Sequence, residues 1–214
     1  MKTAILFDLD GTLLDTLGDL HAATNAVLQQ FGYPTRTVDE VRCFVGNGAR
    51  RLIEQAVPAG EEDRVEEVLA AFQTYYAAHC DVLTRPYPGI VEMLTQMGEK
   101  YPLAVVSNKP DRAVKELAKI YFPTLYARGE SEDCPRKPAP DMVFKAMQAL
   151  GATRCVYVGD SEVDVLTAQN AGVPCLSVTW GFRDVDILTQ AGAEYFCHRA
   201  EDVACCIEKI LERD

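Results

Sequence analysis

Thr3-Ala4-Ile5-Leu6-Phe7-Asp8-Leu9-Asp10-Gly11-Thr12 decides how this chain is read. Ala4 to Phe7 is an unbroken apolar run, the pattern of a fully buried strand in a parallel sheet. The run stops at Asp8, Asp10 follows two residues later, and Gly11 breaks the element. In open α/β sheets, ligands bind just beyond the carboxyl ends of the strands. Two carboxylates at that edge are costly to bury unless a cation or proton compensates. Asp followed by Gly is also common turn chemistry. A turn accounts for Asp10-Gly11 but not for Asp8 at the inner end of the strand.

Beyond Thr12 the pattern turns helical. Leu17, Leu20, Thr24, Val27, Leu28 and Phe31 fall at helical spacing, and Gly32 is a C-terminal stop. Thr37-Val38-Asp39-Glu40 has the form of a capping box opening a second helix. That helix is interrupted at Val45-Gly46-Asn47-Gly48 and resumes from Ala49 to Val57. Glu61-Glu62-Asp63 opens a third, with Val65, Val68, Leu69, Phe72 and Tyr76 along one side. No strand is expected between Asp15 and about Thr84. The segment 15–84 therefore reads as an inserted α-helical domain, with 1–14 and 85–214 forming the other domain.

After Pro86-Tyr87-Pro88-Gly89 the rhythm changes to alternating strands and helices. Strands are expected at Leu103–Val106, at Cys155–Val158, at Cys175–Val178 and at Tyr195-Phe196, with a short segment near Leu125-Tyr126. Helices are expected between them, and a last helix from Glu201 to Leu211. Such alternation predicts an α/β fold with a doubly wound parallel sheet and right-handed crossovers.

Composition narrows the function classes. A formal charge of −11 over 214 residues argues against a protein that grips a nucleic-acid backbone. No stretch reaches transmembrane length, and the N-terminus lacks the pattern of a signal peptide. Eight cysteines include no CxxC and no paired spacing, so a zinc site is not expected, and a reduced, cytoplasmic setting fits. The three histidines, His21, His79 and His198, share no metal-ligand spacing. A monomer or homodimer with a small-molecule partner is the expectation, without a nucleic-acid or membrane partner.

Four polar stations fall where a doubly wound sheet converges: Asp8 with Asp10, Ser107, Lys137, and Asp160 with Asp164. Taken singly, Ser107 reads as a turn residue, Lys137 as a solvated loop lysine and Asp160-Ser161 as a helix cap. Together they supply what phosphoryl transfer requires, which is chiefly positioning and charge stabilisation. Asp8 serves as nucleophile, since a carboxylate at neutral pH needs no activating base. Asp10 points the same way on the strand and can protonate the leaving oxygen, then activate water. A cation must lie between carboxylate and phosphate, and Mg²⁺ with its preference for oxygen fits Asp8, Asp160 and the backbone carbonyl of Asp10. Asp164 stands one helical turn on, behind the metal or Lys137. Lys137 and Ser107 face the transferring oxygens.

On these residues the chain resembles the haloacid dehalogenase (HAD)-superfamily phosphohydrolases. Asp8-Leu9-Asp10-Gly11-Thr12 matches their DxDGT, with Ser107, Lys137 and Gly159-Asp160 through Asp164 as the second, third and fourth motifs. The resemblance implies a Rossmann-like core and assigns the helical insertion as a cap over the substrate. It favours a phosphatase or phosphomutase over a dehalogenase, because Asp10 supplies a second acid. It places Gly11, Thr12 and Asn108 among the substrate-binding residues. In the cap, Gly46, Asn47, Gly48 and Arg50 are the candidate contacts to the leaving group, against the alternative of a tight turn followed by a solvated basic pair. Val45–Ala49, Ser107-Asn108-Lys109 and Trp180-Gly181 are similar to phosphoglycolate phosphatases, which makes 2-phosphoglycolate the first candidate substrate; Leu17-Gly18 departs from the proline that many relatives carry there. A β-phosphoglucomutase-like isomerase, or a pyrophosphatase or nucleotidase of the same family, is the alternative.

Overall fold

The opening apolar run is strand β1 (Thr3–Phe7), with Ala4 to Phe7 fully buried, in a computed structural model that describes residues 2–213. Two-residue strand β2 (Leu14–Asp15) precedes four helices, α1 (Leu17–Gln30), α2 (Val38–Phe44), α3 (Gly48–Ala56) and α4 (Val65–His79). Then come β3 (Arg85–Pro86), α5 (Ile90–Gly98), β4 (Leu103–Pro110), α6 (Asp111–Tyr121) and β5 (Tyr126–Glu130). The chain finishes with α7 (Asp141–Leu150), β6 (Arg154–Gly159), α8 (Glu162–Ala171), β7 (Cys175–Val178), α9 (Val185–Gln190), β8 (Tyr195–Cys197) and α10 (Val203–Leu211).

The chain divides into two compact units, one formed by Met1–Leu14 with Pro86–Asp214 and the other by Asp15–Arg85. In the first, six strands form one sheet in the order β5-β4-β1-β6-β7-β8, and each neighbouring pair runs parallel. Strand order reverses on either side of β1, so its C-terminal edge is a switch point where a doubly wound sheet opens a crevice. Phe7 pairs with Val105 of β4 and Val158 of β6, which sets Asp8 beside the ends of both neighbours. Ala4, Leu6, Ala104, Val106, Cys155 and Tyr157 pack against α7 and α8 residues Met142, Val143, Ala146 and Ala168. The alternate residues Ile5, Phe7, Val105, Val156 and Val158 are buried as well, so both faces are covered. Each such large apolar side chain contributes roughly 1.5–3 kcal/mol on burial, which offsets the cost of ending β1 on a buried carboxylate.

The second unit is helical. Apolar stripes of α1, α3 and α4, with Val27, Leu28, Ile53, Val68 and Phe72 buried, form its core. The capping box expected at α2 is present: Glu40 N donates to Thr37 Oγ1 at 3.2 Å and Thr37 N to Glu40 Oε2 at 2.7 Å. Asp19, buried in the first turn of α1, accepts from Leu83 N, Thr84 N and Thr84 Oγ1 at 2.8–3.0 Å and ties the start of the unit to its end.

The expectation of no strand between Asp15 and about Thr84 holds: the short strands β2 and β3, which pair with each other, flank that segment. Two other expectations are corrected. β4 does not stop at Val106 but runs through Ser107-Asn108-Lys109 to Pro110, with a register shift against β5 between Val106 and Pro110. The short segment near Tyr126 is a full edge strand, β5, whose polar YARGE sequence conceals it.

Candidate active site

Past the end of β1 the backbone turns sharply on Gly11, which takes φ +89°, a conformation that favours glycine. A Cβ there would also lie 2.3 Å from Asp160 Oδ2. Asp8 is 7% exposed, and its Oδ1 is 2.8 Å from Lys137 Nζ yet accepts no hydrogen bond of good geometry. Burial first, and the neighbouring Asp164 second, push the Asp8 carboxyl well above the usual carboxylate range, with Lys137 opposing them.

Lys137 lies in the loop between β5 and α7 and is 2% exposed. Its ammonium donates to Asp164 Oδ1 at 2.7 Å and to the Tyr157 hydroxyl at 3.1 Å. Burial works against the charge, but Asp164 and Asp8 outweigh it and hold the lysine well above its ordinary value. The loop backbone is fixed by Asn108: Lys137 N donates to Asn108 Oδ1 at 2.7 Å, and Asn108 Nδ2 donates to Lys137 O at 3.0 Å. Ser107 is buried, and its Oγ accepts from Lys109 N at 3.2 Å.

Asp160 and Asp164 flank the start of α8. Asp160 Oδ1 accepts from Thr12 Oγ1 at 2.9 Å and Oδ2 from Phe182 N at 2.7 Å. Burial, then Asp164, push the Asp160 carboxyl up to about 7. Asp164 has no solvent exposure; Ser161 Oγ and Ser161 N donate to its Oδ2 at 2.6 and 3.1 Å. Its Oδ1 takes Lys137 and stands 3.2 Å from the Tyr157 hydroxyl.

Asp8, Asp160 and Asp164 each offer a carboxylate oxygen, all within 4.8 Å of one another. Three buried carboxylates face one ammonium, and one oxygen of Asp8 lacks a hydrogen bond. This all-oxygen, electron-rich set fits a hard divalent cation. Asp164 is already engaged through both oxygens, so Asp8 and Asp160 are the side chains best placed to bind it.

The α/β unit therefore gathers Asp8, Asp10, Gly11, Thr12, Ser107, Asn108, Lys137, Asp160 and Asp164 of the expected residues at its switch point. The side chain of Asp10 does not join the acidic cluster. Lys109 Nζ grips it through both oxygens, at 2.8 and 3.0 Å. Lys109 is not among the candidate site residues, although the Ser107-Asn108-Lys109 run is one of the stretches that carry the resemblance; the polar run directly abutting four apolar residues is the signal that it remains in the strand. The remaining candidates belong to the helical unit. Gly46 and Gly48 take φ of +118° and +80° around Asn47, which precedes α3. Arg50 pairs with Glu54 and Glu66 on that unit's surface. His21 is also used within it, against Asn25 Nδ2 and the carbonyl of Arg36.

Residues 5–178 match the family described as haloacid dehalogenase-like hydrolase. A phosphoglycolate phosphatase of Rhodobacter capsulatus is 36% identical over 193 residues, which cover 86% of this chain and 87% of that protein. Phosphoglycolate phosphatase 1 of Pseudomonas aeruginosa is 33% identical over 219 residues, covering 97% of this chain and 80% of the relative. A crystal structure from Lactobacillus delbrueckii subsp. bulgaricus, of a protein proposed to be a phosphoglycolate phosphatase, superposes with a TM-score of 0.88 at 38% identity, over 95% of this chain and 97% of that one.

Proposed function

We propose that this chain, which belongs to the haloacid dehalogenase-like hydrolase family and is a phosphatase, is a Mg²⁺-dependent hydrolase of a small phosphomonoester, with 2-phosphoglycolate as substrate. The observation that carries the reading is the buried cluster of Asp8, Asp160, Asp164 and Lys137 at the switch point, rich in carboxylate and short of positive charge. The substrate assignment is supported by the relatives that carry the phosphoglycolate phosphatase name.

Asp8 is the nucleophile. One of its oxygens attacks phosphorus, the bond to the leaving oxygen breaks, and Asp10 gives that oxygen a proton. Water then attacks the aspartyl-phosphate, Asp10 takes a proton from it, and inorganic phosphate leaves with Asp8 restored. Lys137 and the Ser107 hydroxyl face the charge on the transferring oxygens. A Mg²⁺ ion held by Asp8, Asp160 and the Asp10 carbonyl would screen the repulsion between carboxylate and phosphate and keep Asp8 ionised despite its burial. Asn108 acts through the backbone of Lys137, and Thr12 through Asp160.

The helical unit is assigned as the cap that reads the leaving group, with Gly46, Asn47 and Gly48 supplying backbone N–H donors. Two of its features support this: glycines of positive φ on either side of Asn47 at the start of a helix, and an exposed arginine, Arg50, paired with Glu54 and Glu66. The eight free cysteines support a reducing, cytoplasmic setting, and among the described residues no helix is long and apolar enough to cross a membrane.

Phosphate release with Mg²⁺ from a panel of 2-phosphoglycolate, β-glucose 1-phosphate, nucleotides and pyrophosphate tests the reading, run beside an EDTA control. A marked preference for 2-phosphoglycolate, abolished by EDTA, is the expected result. Conversion of β-glucose 1-phosphate to its isomer without net phosphate release would overturn it in favour of a mutase.

A further inference from the structure

Trp180 is the sole tryptophan of the chain, and it lies just past β7 in the segment Thr179-Trp180-Gly181-Phe182. Its indole N–H donates to the backbone carbonyl of Thr12 at 3.0 Å. The hydroxyl of the same Thr12 donates to Asp160 Oδ1 at 2.9 Å, and Phe182 N donates to Asp160 Oδ2 at 2.7 Å. Between the two donors from this segment, Gly181 presses on Asp160: a Cβ there would stand 2.3 Å from the Asp160 Cβ and 2.4 Å from both Asp160 Oδ2 and the Gly11 carbonyl.

These contacts form a closed circuit. The loop after β1 and the loop after β7 hold one carboxylate from opposite sides, and the indole joins the two loops. Each oxygen of Asp160 accepts one of these hydrogen bonds, so the carboxylate cannot turn about its Cβ–Cγ bond without breaking one. A merely apolar packing role would leave the indole N–H with any neighbour or with water. Here it meets a backbone carbonyl one residue from the glycine that packs on Asp160.

We propose that Trp180 is a positioning residue for the divalent cation: by tying the Thr12 backbone to the β7 loop, it fixes the direction in which Asp160 presents its free lone pairs. The inference rests on the reading that Asp160 holds Mg²⁺. Trp180 acts through the Thr12 backbone and Asp160, so its removal weakens cation affinity rather than the chemical step. Partners of this kind behind a metal ligand typically account for 10–100-fold in affinity.

The test is Mg²⁺ binding to the intact protein, measured by calorimetry and by the fluorescence of Trp180. In the wild type, Mg²⁺ changes the fluorescence with the calorimetric midpoint, and Asp160→Asn removes both signals. Trp180→Phe, which keeps an aromatic ring and loses the N–H, weakens binding about tenfold, and the loss falls on the half-saturating Mg²⁺ concentration more than on kcat. Thr12→Val breaks the circuit at the hydroxyl and retains the fluorophore, with a similar loss. Because both act through one carboxylate, the double variant loses about as much as either alone, not the product. Trp180→Phe binding Mg²⁺ as the wild type does, or losses that multiply, would overturn the proposal while leaving the cation reading intact. A wild type that binds no Mg²⁺ would overturn both. If Trp180→Phe does not fold, an unshifted fluorescence midpoint in Thr12→Val overturns the proposal by itself.

Discussion

At Asp8 one side chain has two incompatible demands. It has to be ionised to attack phosphorus, yet burial and Asp164 push its carboxyl well above the usual range. A folded-state value above the unfolded one means that its contribution to stability is present at acid pH and lost as pH rises. Asp8→Asn removes that penalty and the nucleophile together. The variant is expected to lose at least about 10⁴-fold in kcat, while its metal-free form melts at a higher temperature than wild type at pH 7.5; a lower melting temperature would show that the Lys137 contact outweighs the burial. Asp10 is a different case, since Lys109 grips both its oxygens. If that grip sets the carboxylate beside the leaving oxygen, Lys109→Met lowers kcat/KM for 2-phosphoglycolate, whose alkoxide needs a proton, by about 10–100-fold. For p-nitrophenyl phosphate, whose leaving group needs none, the same variant changes kcat/KM by less than about threefold. Equal losses on both substrates would place Lys109 on the phosphoryl group instead.

The elements differ in how openly the sequence declares them. β1, β6 and β7 are apolar runs buried on both faces, and the helices between them carry clear stripes and stops, so the parallel sheet and the convergence of Asp8, Lys137 and Asp160 were legible from residue pattern alone. β5 was not, because an edge strand with one covered face tolerates Arg128 and Glu130, and its pairing is set by β4 rather than by its own residues. The last half of β4 was hidden for the opposite reason. Ser107, Asn108 and Lys109 are buried but polar, satisfied by the Lys137 loop, Asp10 and one another, and hydrophobic periodicity cannot register such partners. Asp19 likewise reads as a dipole-complementing acid at a helix start, whereas its oxygens accept from Leu83 and Thr84, more than sixty residues away. The hidden half of β4 has a consequence of its own. Asn108 holds the Lys137 loop by two hydrogen bonds to the backbone, and Asn108→Ala frees that loop. A displacement of about 1 Å in a catalytic group costs about 10²-fold, so kcat is expected to fall by about 10–100-fold with little change in KM. A rise in KM with kcat preserved would make Asn108 a substrate contact.

Across the molecule, charge is the organising quantity. The chain carries a formal −11, and its switch point adds to the imbalance locally: among the described residues, the ion pairs of Asp8, Asp10 and Asp164 there are with Lys109 and Lys137, and Asp160 lies beside Asp8 and Asp164. If all are ionised, the excess is two negative charges, which one divalent cation balances. Without it the excess is relieved by protons, and burial and then Asp164 favour the protonated form of both Asp8 and Asp160, pushing Asp160 up to about 7. The sign follows from linkage. Asp160 titrates near 4 when unfolded and near 7 when folded, so the metal-free fold is favoured below pH 4 by this group and loses that contribution as pH rises to about 7. Over the same interval the proton leaves the ligand and Mg²⁺ affinity rises. The difference in melting temperature between Mg²⁺ and EDTA is therefore expected to be small at pH 5 and to widen through pH 7.5. At a Mg²⁺ concentration one hundred times Kd the stabilisation is about 2.7 kcal/mol, or roughly 5–10 °C for a chain of this size. The shift belongs to the α/β unit, since the helical unit contributes none of the clustered carboxylates. Calorimetric melts from pH 5 to 8, with Asp160→Asn beside the wild type, decide the matter: a gap that is constant with pH, or one that persists in the variant, would place the cation elsewhere than on Asp160.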